Sequence, residues 1–313
     1  MSLPFRFGIQ TLQSFAARHR WIEFARKVED LGYWGLTVPD HFHDYLAPTV
    51  ALMAAADATT SLRIGGLVWC NDYRHPAVLA KEAATLDVLS EGRLELGLGA
   101  GWMTTDYEQT GMACDPPGVR VDRFLEAVEI FEGLLTGEPF TFHGDHYRIT
   151  NLTNIPRTIQ RPRPPFFIGG GGPRMLRLAG RHADIVGINP NLGSGVLGPE
   201  VGPDITAERF DRKVEWIREG AGDRFEALEL QVFCLYVAVT GAGVGSDAPG
   251  GLGERLGLTP EQARDSPIAL IGTPGQMADV IVERRERFGI SRVTVGSQHI
   301  EAFAQVVARL AGT

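Results

Sequence analysis

Cysteine is scarce. Among 313 residues there are three, Cys70, Cys114 and Cys234, widely separated and with no C-x-x-C pair. A disulfide framework needs an even, closely spaced set and a structural zinc site needs clustered ligands, so both are excluded, and a reducing, cytoplasmic setting is expected. Positive charge is also in deficit: 30 Lys and Arg stand against 38 Asp and Glu, for a formal charge of −8, and no basic run stands out. Nucleic acid is therefore not expected as a partner, because gripping phosphates takes Lys and Arg gathered on one face. No apolar stretch approaches the roughly 20 residues of a membrane span, and Met1 to Gly8 show no cationic stretch followed by an apolar core. Neither a membrane nor export is expected. A repeat of solenoid length is missing as well.

What is present is alternation. Short β-branched and aromatic runs predict eight strands near residues 5–10, 35–38, 63–69, 93–98, 166–168, 185–188, 230–239 and 292–295. Between them, apolar residues three or four apart predict helices near 21–31, 76–89, 121–135, 173–180, 207–219 and 274–288. Thr273-Pro274 reads as an N-cap followed by Pro at the first helical position, and Gly32 and Gly289 sit where helices should stop. The expected fold is α/β: a (β/α)8 TIM barrel forming one domain over residues 1–313, with loop insertions about 138–165, 190–206 and 241–268. Within the first insertion, Phe140 to Tyr147 resembles a hairpin. The Gly-rich stretch 241–257 reads as a mobile lid.

Barrel chemistry sits at the C-terminal strand ends. After strand two comes Asp40-His41, an acid beside an imidazole able to exchange protons near neutral pH, which makes His41 the leading catalytic candidate. A turn-capping Asp40 and a space-filling His41 are the plainer alternative. After strand three, Leu67-Val68-Trp69-Cys70-Asn71 leads a polar stretch that can line a planar ligand or simply precede the helix at Pro76. After strand four, Ala100, Gly101 and Trp102 follow a run of small residues that lets a ligand approach the backbone, with Trp102 as a wall. After strand five, Ile168 and four glycines, Gly169, Gly170, Gly171 and Gly172, run straight into a helix at Pro173. Free backbone N–H groups and a helix N-terminus together make a phosphate cradle, so a phosphorylated ligand is implied. No Lys follows the glycines and no G-x-G-x-x-G closes the first βα unit, which disfavours both a nucleoside triphosphate and a Rossmann dinucleotide site.

Together these segments resemble the luciferase-like monooxygenase superfamily, of bacterial-luciferase-like fold, and in particular its actinobacterial members that use the deazaflavin coenzyme F420. The most characteristic stretches are Arg74-His-Pro-Ala-Val-Leu-Ala-Lys-Glu-Ala-Ala-Thr-Leu-Asp87 and Ser90-Glu-Gly-Arg-Leu-Glu-Leu-Gly-Leu-Gly-Ala-Gly-Trp102. The resemblance implies a ring lying across the barrel mouth on a bulge within residues 67–70 that often holds a non-prolyl cis peptide. It places Asp40 and His41 beside that ring, Ala100, Gly101 and Trp102 against it, and a phosphate on residues 169–172. Some members carry Glu at the Trp102 position for sugar-phosphate dehydrogenation, so Trp102 implies that glucose 6-phosphate is not the substrate and that the pocket is more apolar. A homodimer is implied by the same analogy.

The expected activity is that of an F420-dependent oxidoreductase, exchanging hydride with a small-molecule substrate while His41 handles a proton. Three alternatives stand beside it. FMN with molecular oxygen and a partner reductase suits the same fold; a non-catalytic flavin- or deazaflavin-binding protein is compatible with the same pocket; and His41 and His43 with Asp40 and Asp44 form a weaker metal-hydrolase reading, against which no metal site is assigned. Arg161, Arg163, Arg174 and Arg177 are expected near the phosphate, where they would meet the anionic tail of F420.

Overall fold

The run Arg6–Gln10 alternates partly and fully buried residues and forms β1, with Phe7 packing edge-on against Phe303 from the far end of the chain. In the computed structural model, which describes residues 3–240 and 256–313, β1 is followed by α1 (Arg18–Asp30), β2 (Gly35–Val38), α2 (Pro48–Ala58), β3 (Arg63–Gly66), β4 (Trp69–Cys70), α3 (Pro76–Leu89), β5 (Leu94–Gly99), α4 (Thr104–Thr110), α5 (Pro117–Leu134), β6 (Phe140–His143) and β7 (Arg148–Leu152). The second half adds β8 (Phe166–Gly170), α6 (Pro173–His182), β9 (Ile185–Ile188), α7 (Ala207–Ala221), β10 (Glu229–Cys234), β11 (Tyr236–Val239), α8 (Pro260–Asp265), β12 (Ala269–Gly272), α9 (Pro274–Phe288), β13 (Ile290–Gly296) and α10 (Ile300–Leu310). Eight of the strands run parallel in the order β1-β2-β3-β5-β8-β9-β10-β13, and β13 pairs back onto β1. The barrel is closed and helices surround it, as the alternation predicts. Among the described residues no helix is long and apolar enough to cross a membrane.

Closure is tightest between β3 and β5. Gly65 opposes Glu95 and Trp69 opposes Leu98, so four steps on one strand are matched by three on the other, and the extra residue bulges. Crowding explains why the strand must depart: a Cβ on Gly97 would stand 1.9 Å from the Gly66 carbonyl oxygen, and one on Gly99 would stand 2.4 Å from Val68. The Leu67–Val68 peptide within the bulge is cis, inside the span the resemblance indicates.

Several expectations need correction. Strand seven, predicted over residues 230–239, breaks at Leu235: β10 stays in the barrel, while β11 leaves it to pair in parallel with β12, which no sequence pattern announced. Helices α2, α4, α8 and α10 were not predicted. The hairpin reading holds as β6 and β7, joined antiparallel. The predicted lid at 241–257 falls mostly outside the described residues; of that third insertion, 260–265 is helical. Gly32 and Gly289 both take positive φ at helix ends, and Thr273 caps α9 in a reciprocal box with Gln276.

At the N-terminal end of the barrel, Glu29 of α1 staples the turn before β3 by accepting the backbone N–H groups of Thr60, Ser61 and Leu62 at 2.9, 2.6 and 3.0 Å. Burial opposes its charge, yet these donors and the Ser61 hydroxyl outweigh that and bring the carboxyl down from 4.5 to about 2. A carboxyl whose pKa is lower folded than unfolded stabilises fully above about 4.5, and that stabilisation is lost as pH falls towards 2. Glu29→Gln is therefore expected to lower unfolding free energy at neutral pH by about 1 kcal/mol, given the partly exposed setting, and to flatten the acid limb in urea titrations run across that range. Closure has its own test. Gly97→Ala should cost several kcal/mol through the clash with Gly66, whereas Gly118→Ala in α5, where a Cβ meets nothing within 4 Å, should leave stability unchanged or raise it by up to about 1 kcal/mol. Equal melting temperatures for the two variants would refute the crowding argument.

Candidate active site

The C-terminal strand ends open onto a cavity of about 500 Å³ whose floor is the bulge, presented by Leu67, Val68 and Cys70. Two side-chain contacts pin it. Asp40, at the end of β2, accepts the Cys70 backbone N–H and an Arg74 guanidinium N–H, both at 3.0 Å. Gln10, at the end of β1, donates to the Leu67 carbonyl at 3.3 Å. Cys70 itself is no nucleophile, since burial pushes its thiol up to about 12.

His41 lines the wall beside this floor. Its Nδ1 lies 2.6 Å from Oδ2 of Asp106, which is 1% exposed and also accepts the Tyr73 hydroxyl at 2.8 Å and the Phe42 N–H at 3.3 Å. Burial alone would raise the Asp106 carboxyl, but the hydrogen bonds from His41 and Tyr73 prevail and hold it below the usual carboxylate range. Burial likewise pushes the Tyr73 phenol far up, so it remains a donor. An ionised carboxylate only accepts, so Nδ1 of His41 carries a proton and Nε2 is the nitrogen available for exchange. The Trp102 ring meets the imidazole edge-on, with centroids 5.7 Å apart. Local backbone brings Asp106 here: Gly101 turns at φ +77, and a Cβ there would strike the Tyr107 hydroxyl at 2.1 Å, so α4 packs back over the end of β2.

The opposite wall holds the glycines. Gly169, Gly170, Gly171 and Gly172 line the cavity where β8 gives way to α6. A Cβ on Gly171 would stand 2.2 Å from the Pro190 carbonyl oxygen, so the bare backbone is a packing requirement. The first-turn N–H groups of α6 have no intrahelical acceptor. Arg120 of α5 also lines the cavity, 4% exposed, with its guanidinium 5.6 Å from the Tyr107 ring centroid. Its Nη1 is 3.2 Å from Cys114 Sγ, its Nε has no hydrogen-bond partner, and among the described residues it makes no ion pair. An unpaired buried guanidinium is costly unless an anion joins it.

Of the residues singled out from sequence, the structure gathers Asp40, His41, Leu67, Val68, Cys70, Ala100, Gly101, Trp102 and the four glycines around this cavity. Three do not reach it. Trp69 points the other way from its strand neighbour Cys70 and packs against Gly66, Asn71 is buried with its amide donating to the Tyr147 hydroxyl at 3.0 Å, and Ile168 lies wholly in the core. The arginines also need revision: Arg161 and Arg163 line a separate pocket with Arg6, Glu95 and Glu229, and Arg163 pairs with Asp184. Arg177 pairs with Glu219, and Arg174 alone borders the cavity, paired with Asp122. Sequence reasoning missed Gln10, Tyr73, Asp106 and Arg120. Asn189, at the end of β9, was findable by reading that strand end as the others were.

Comparison with known proteins agrees with this geometry. The family model described as luciferase-like monooxygenase matches residues 1–217. An F420-dependent glucose-6-phosphate dehydrogenase of Microbacterium testaceum is 31% identical over 192 residues, covering 59% of this chain and 56% of the relative. An FMNH(2)-dependent dimethylsulfone monooxygenase of Pseudomonas putida is 30% identical over 157 residues, covering 50% of this chain and 42% of the relative. The chain thus spans about half the length of these curated relatives. The coenzyme F420 dependent tetrahydromethanopterin reductase of Methanopyrus kandleri superposes with a TM-score of 0.75 at 21% identity, covering 99% of both chains, which speaks to fold. With well over half its length matched by the family model and the barrel closed as that family's fold requires, the chain belongs to the luciferase-like monooxygenases.

Proposed function

We propose that the protein is an oxidoreductase that holds coenzyme F420 over the bulge and exchanges hydride between it and a small organic substrate. The observation that carries this reading is the His41–Asp106 pair at the cavity wall, because hydride transfer to or from an oxygen-bearing carbon needs a group that moves a proton in step. The residues present suit such a cofactor. Arg120, whose Nε has no hydrogen-bond partner, and the α6 N-terminus line the same cavity and would suit a phosphate, and the bulge offers a largely apolar seat. When bound, the deazaflavin supplies the two-electron chemistry. Leu67 and Val68 would support the ring, residues 169–172 and Arg120 would hold its phosphate, and Trp102 would exclude water from His41. His41 would give or take the proton at Nε2, with Asp106 keeping the ring in one tautomer.

One observation favours a second reading, an FMN monooxygenase served by a reductase. Among the described residues, Arg161, Arg163 and Arg177 are committed away from the cavity and Arg174 is already paired, which leaves little cationic surface for a polyanionic tail. Equilibrium quenching of F420 and FMN fluorescence by the same protein decides between them: preferential binding of F420 supports the first reading, and preference for FMN overturns it. Arg120→Met should weaken whichever cofactor binds by about tenfold or more, the worth of a charge-assisted hydrogen bond. Asp106→Asn is expected to lower kcat by about a hundredfold with cofactor Kd unchanged; a loss of cofactor affinity with intact kcat would contradict its assignment to proton handling.

A further inference from the structure

The three residues that follow β9 form a wall facing the glycines, one against one. The Asn189 side-chain nitrogen stands 3.0 Å from where a Cβ on Gly169 would be, the Pro190 carbonyl oxygen 2.2 Å from that of Gly171, and the Asn191 side-chain nitrogen 3.7 Å from that of Gly172. The Asn189 N–H also donates to the Gly170 carbonyl at 2.9 Å. All three residues line the cavity. Where this segment sits therefore decides how the glycine backbone, and the first turn of α6 behind it, is aimed.

The segment is clamped from its far side. Lys213 donates to the Asn189 carbonyl and to Oδ2 of Asp204, both at 2.6 Å, and the same Oδ2 accepts the Asn191 N–H at 2.6 Å. Neither Lys213 nor Asp204 lines the cavity. Asp204 favours the ammonium charge, while Arg209 of α7, which holds the other Asp204 oxygen at 2.8 Å, opposes it. The neighbouring helices commit their charges elsewhere. α9 reaches α7 through Phe288 on Phe210 with Arg287 paired to Asp211, and α6 meets it at Ile217 and Gly220, where Arg177 is taken by Glu219. Because the Lys213 side chain is fully buried, its amine is pushed down to about 8, so the clamp loses its charge just above neutral pH. A neutral amine still donates, yet without charge its hydrogen bonds keep only about half their strength.

We propose that Lys213 is a positioning residue for the cofactor, acting through Asn189, Pro190 and Asn191: its charged form holds the wall that shapes the glycine cradle around a phosphate. This inference rests on the proposed function, which puts that phosphate at residues 169–172.

Fluorescence quenching from about pH 7 to about pH 9.5 tests it, a range in which a phosphomonoester is already almost fully ionised. Each cofactor is measured against the same ring without its phosphate: FMN against riboflavin, and F420 against its deazaflavin chromophore. Ionisation of the ring is common to both members of a pair, so the ratio of their affinities isolates the phosphate. That ratio should hold steady below about 8 and fall by about tenfold above it, as the clamp gives up its proton. Lys213→Met alone strands Asp204, so the decisive variant is Lys213→Met with Asp204→Asn, which removes both charges together. It should bind the phosphate-free rings as the parent does, with the ratio lowered about tenfold near pH 7 and flat with pH. Should the double variant not fold, the parent's pH profile decides. A ratio indifferent to pH and to the double substitution, in a protein that binds cofactor, overturns the role of Lys213 and leaves the proposed function standing. Equal losses for both members of a pair also overturn it, because a merely structural lysine would weaken ring and phosphate alike. Binding of neither FNM nor F420 overturns the proposed function together with this inference.

Discussion

Backbone contact between Gly66 and Gly97 is the constraint from which the site follows. Two strands approach so closely that no side chain fits on the second, and the first is forced to bulge out of the ladder. The bulge then needs holders, because backbone groups leaving a sheet lose their ladder partners. Asp40 takes the Cys70 N–H and Gln10 the Leu67 carbonyl. Asp40 is buried and charged, so Arg74 joins it. His41, the next residue, is thereby fixed at the edge of the platform. The Asp-His pair readable from sequence thus divides its labour: the acid builds the floor, and a different acid, Asp106, serves the imidazole.

That division also sorts the electrostatics. The carboxylate serving His41 is fed by donors from the end of β2 and from the turn after β4, while the guanidinium of Arg120, which makes no ion pair among the described residues, lies over the Tyr107 ring at 5.6 Å. Buried as they are, each of these groups acts more strongly than it would in water.

How much of this was legible depends on whether the cause was local. The eight barrel strands, the caps at Gly32 and Gly289 and the glycine cradle each leave a signature within a few residues. Helix α2 leaves none, because Pro-Thr-Val-Ala-Leu-Met-Ala-Ala-Ala-Asp-Ala has almost no polar face to set a period, being packed between α1 and β3 and against α3. β11 and β12 stabilise each other across more than thirty residues of chain, so neither looks like an independent strand. Asp106 belongs to α4 and Tyr73 to the short turn after β4, more than thirty residues apart, and only the fold brings them together. Arg120 looks like any helical arginine until the fold buries it with no ion-pair partner among the described residues.

The glycine cradle shows why a motif's letters do not by themselves set its geometry. Its shape depends on the strand beyond it, where the Pro190 carbonyl presses on Gly171. The backbone on either side of Pro190 is held by a buried cation: Lys213 of α7, with a fully buried side chain, donates to the Asn189 carbonyl and to Asp204, both at 2.6 Å, and Asp204 in turn accepts the Asn191 N–H at 2.6 Å. Burial brings the Lys213 amine down to about 8 despite Asp204, so the ion pair stands against a real desolvation cost, and removing either member would strand the other. Two α-helices therefore share the cradle. One supplies its backbone donors, and the other, through a single lysine, holds the wall against which those donors are aimed.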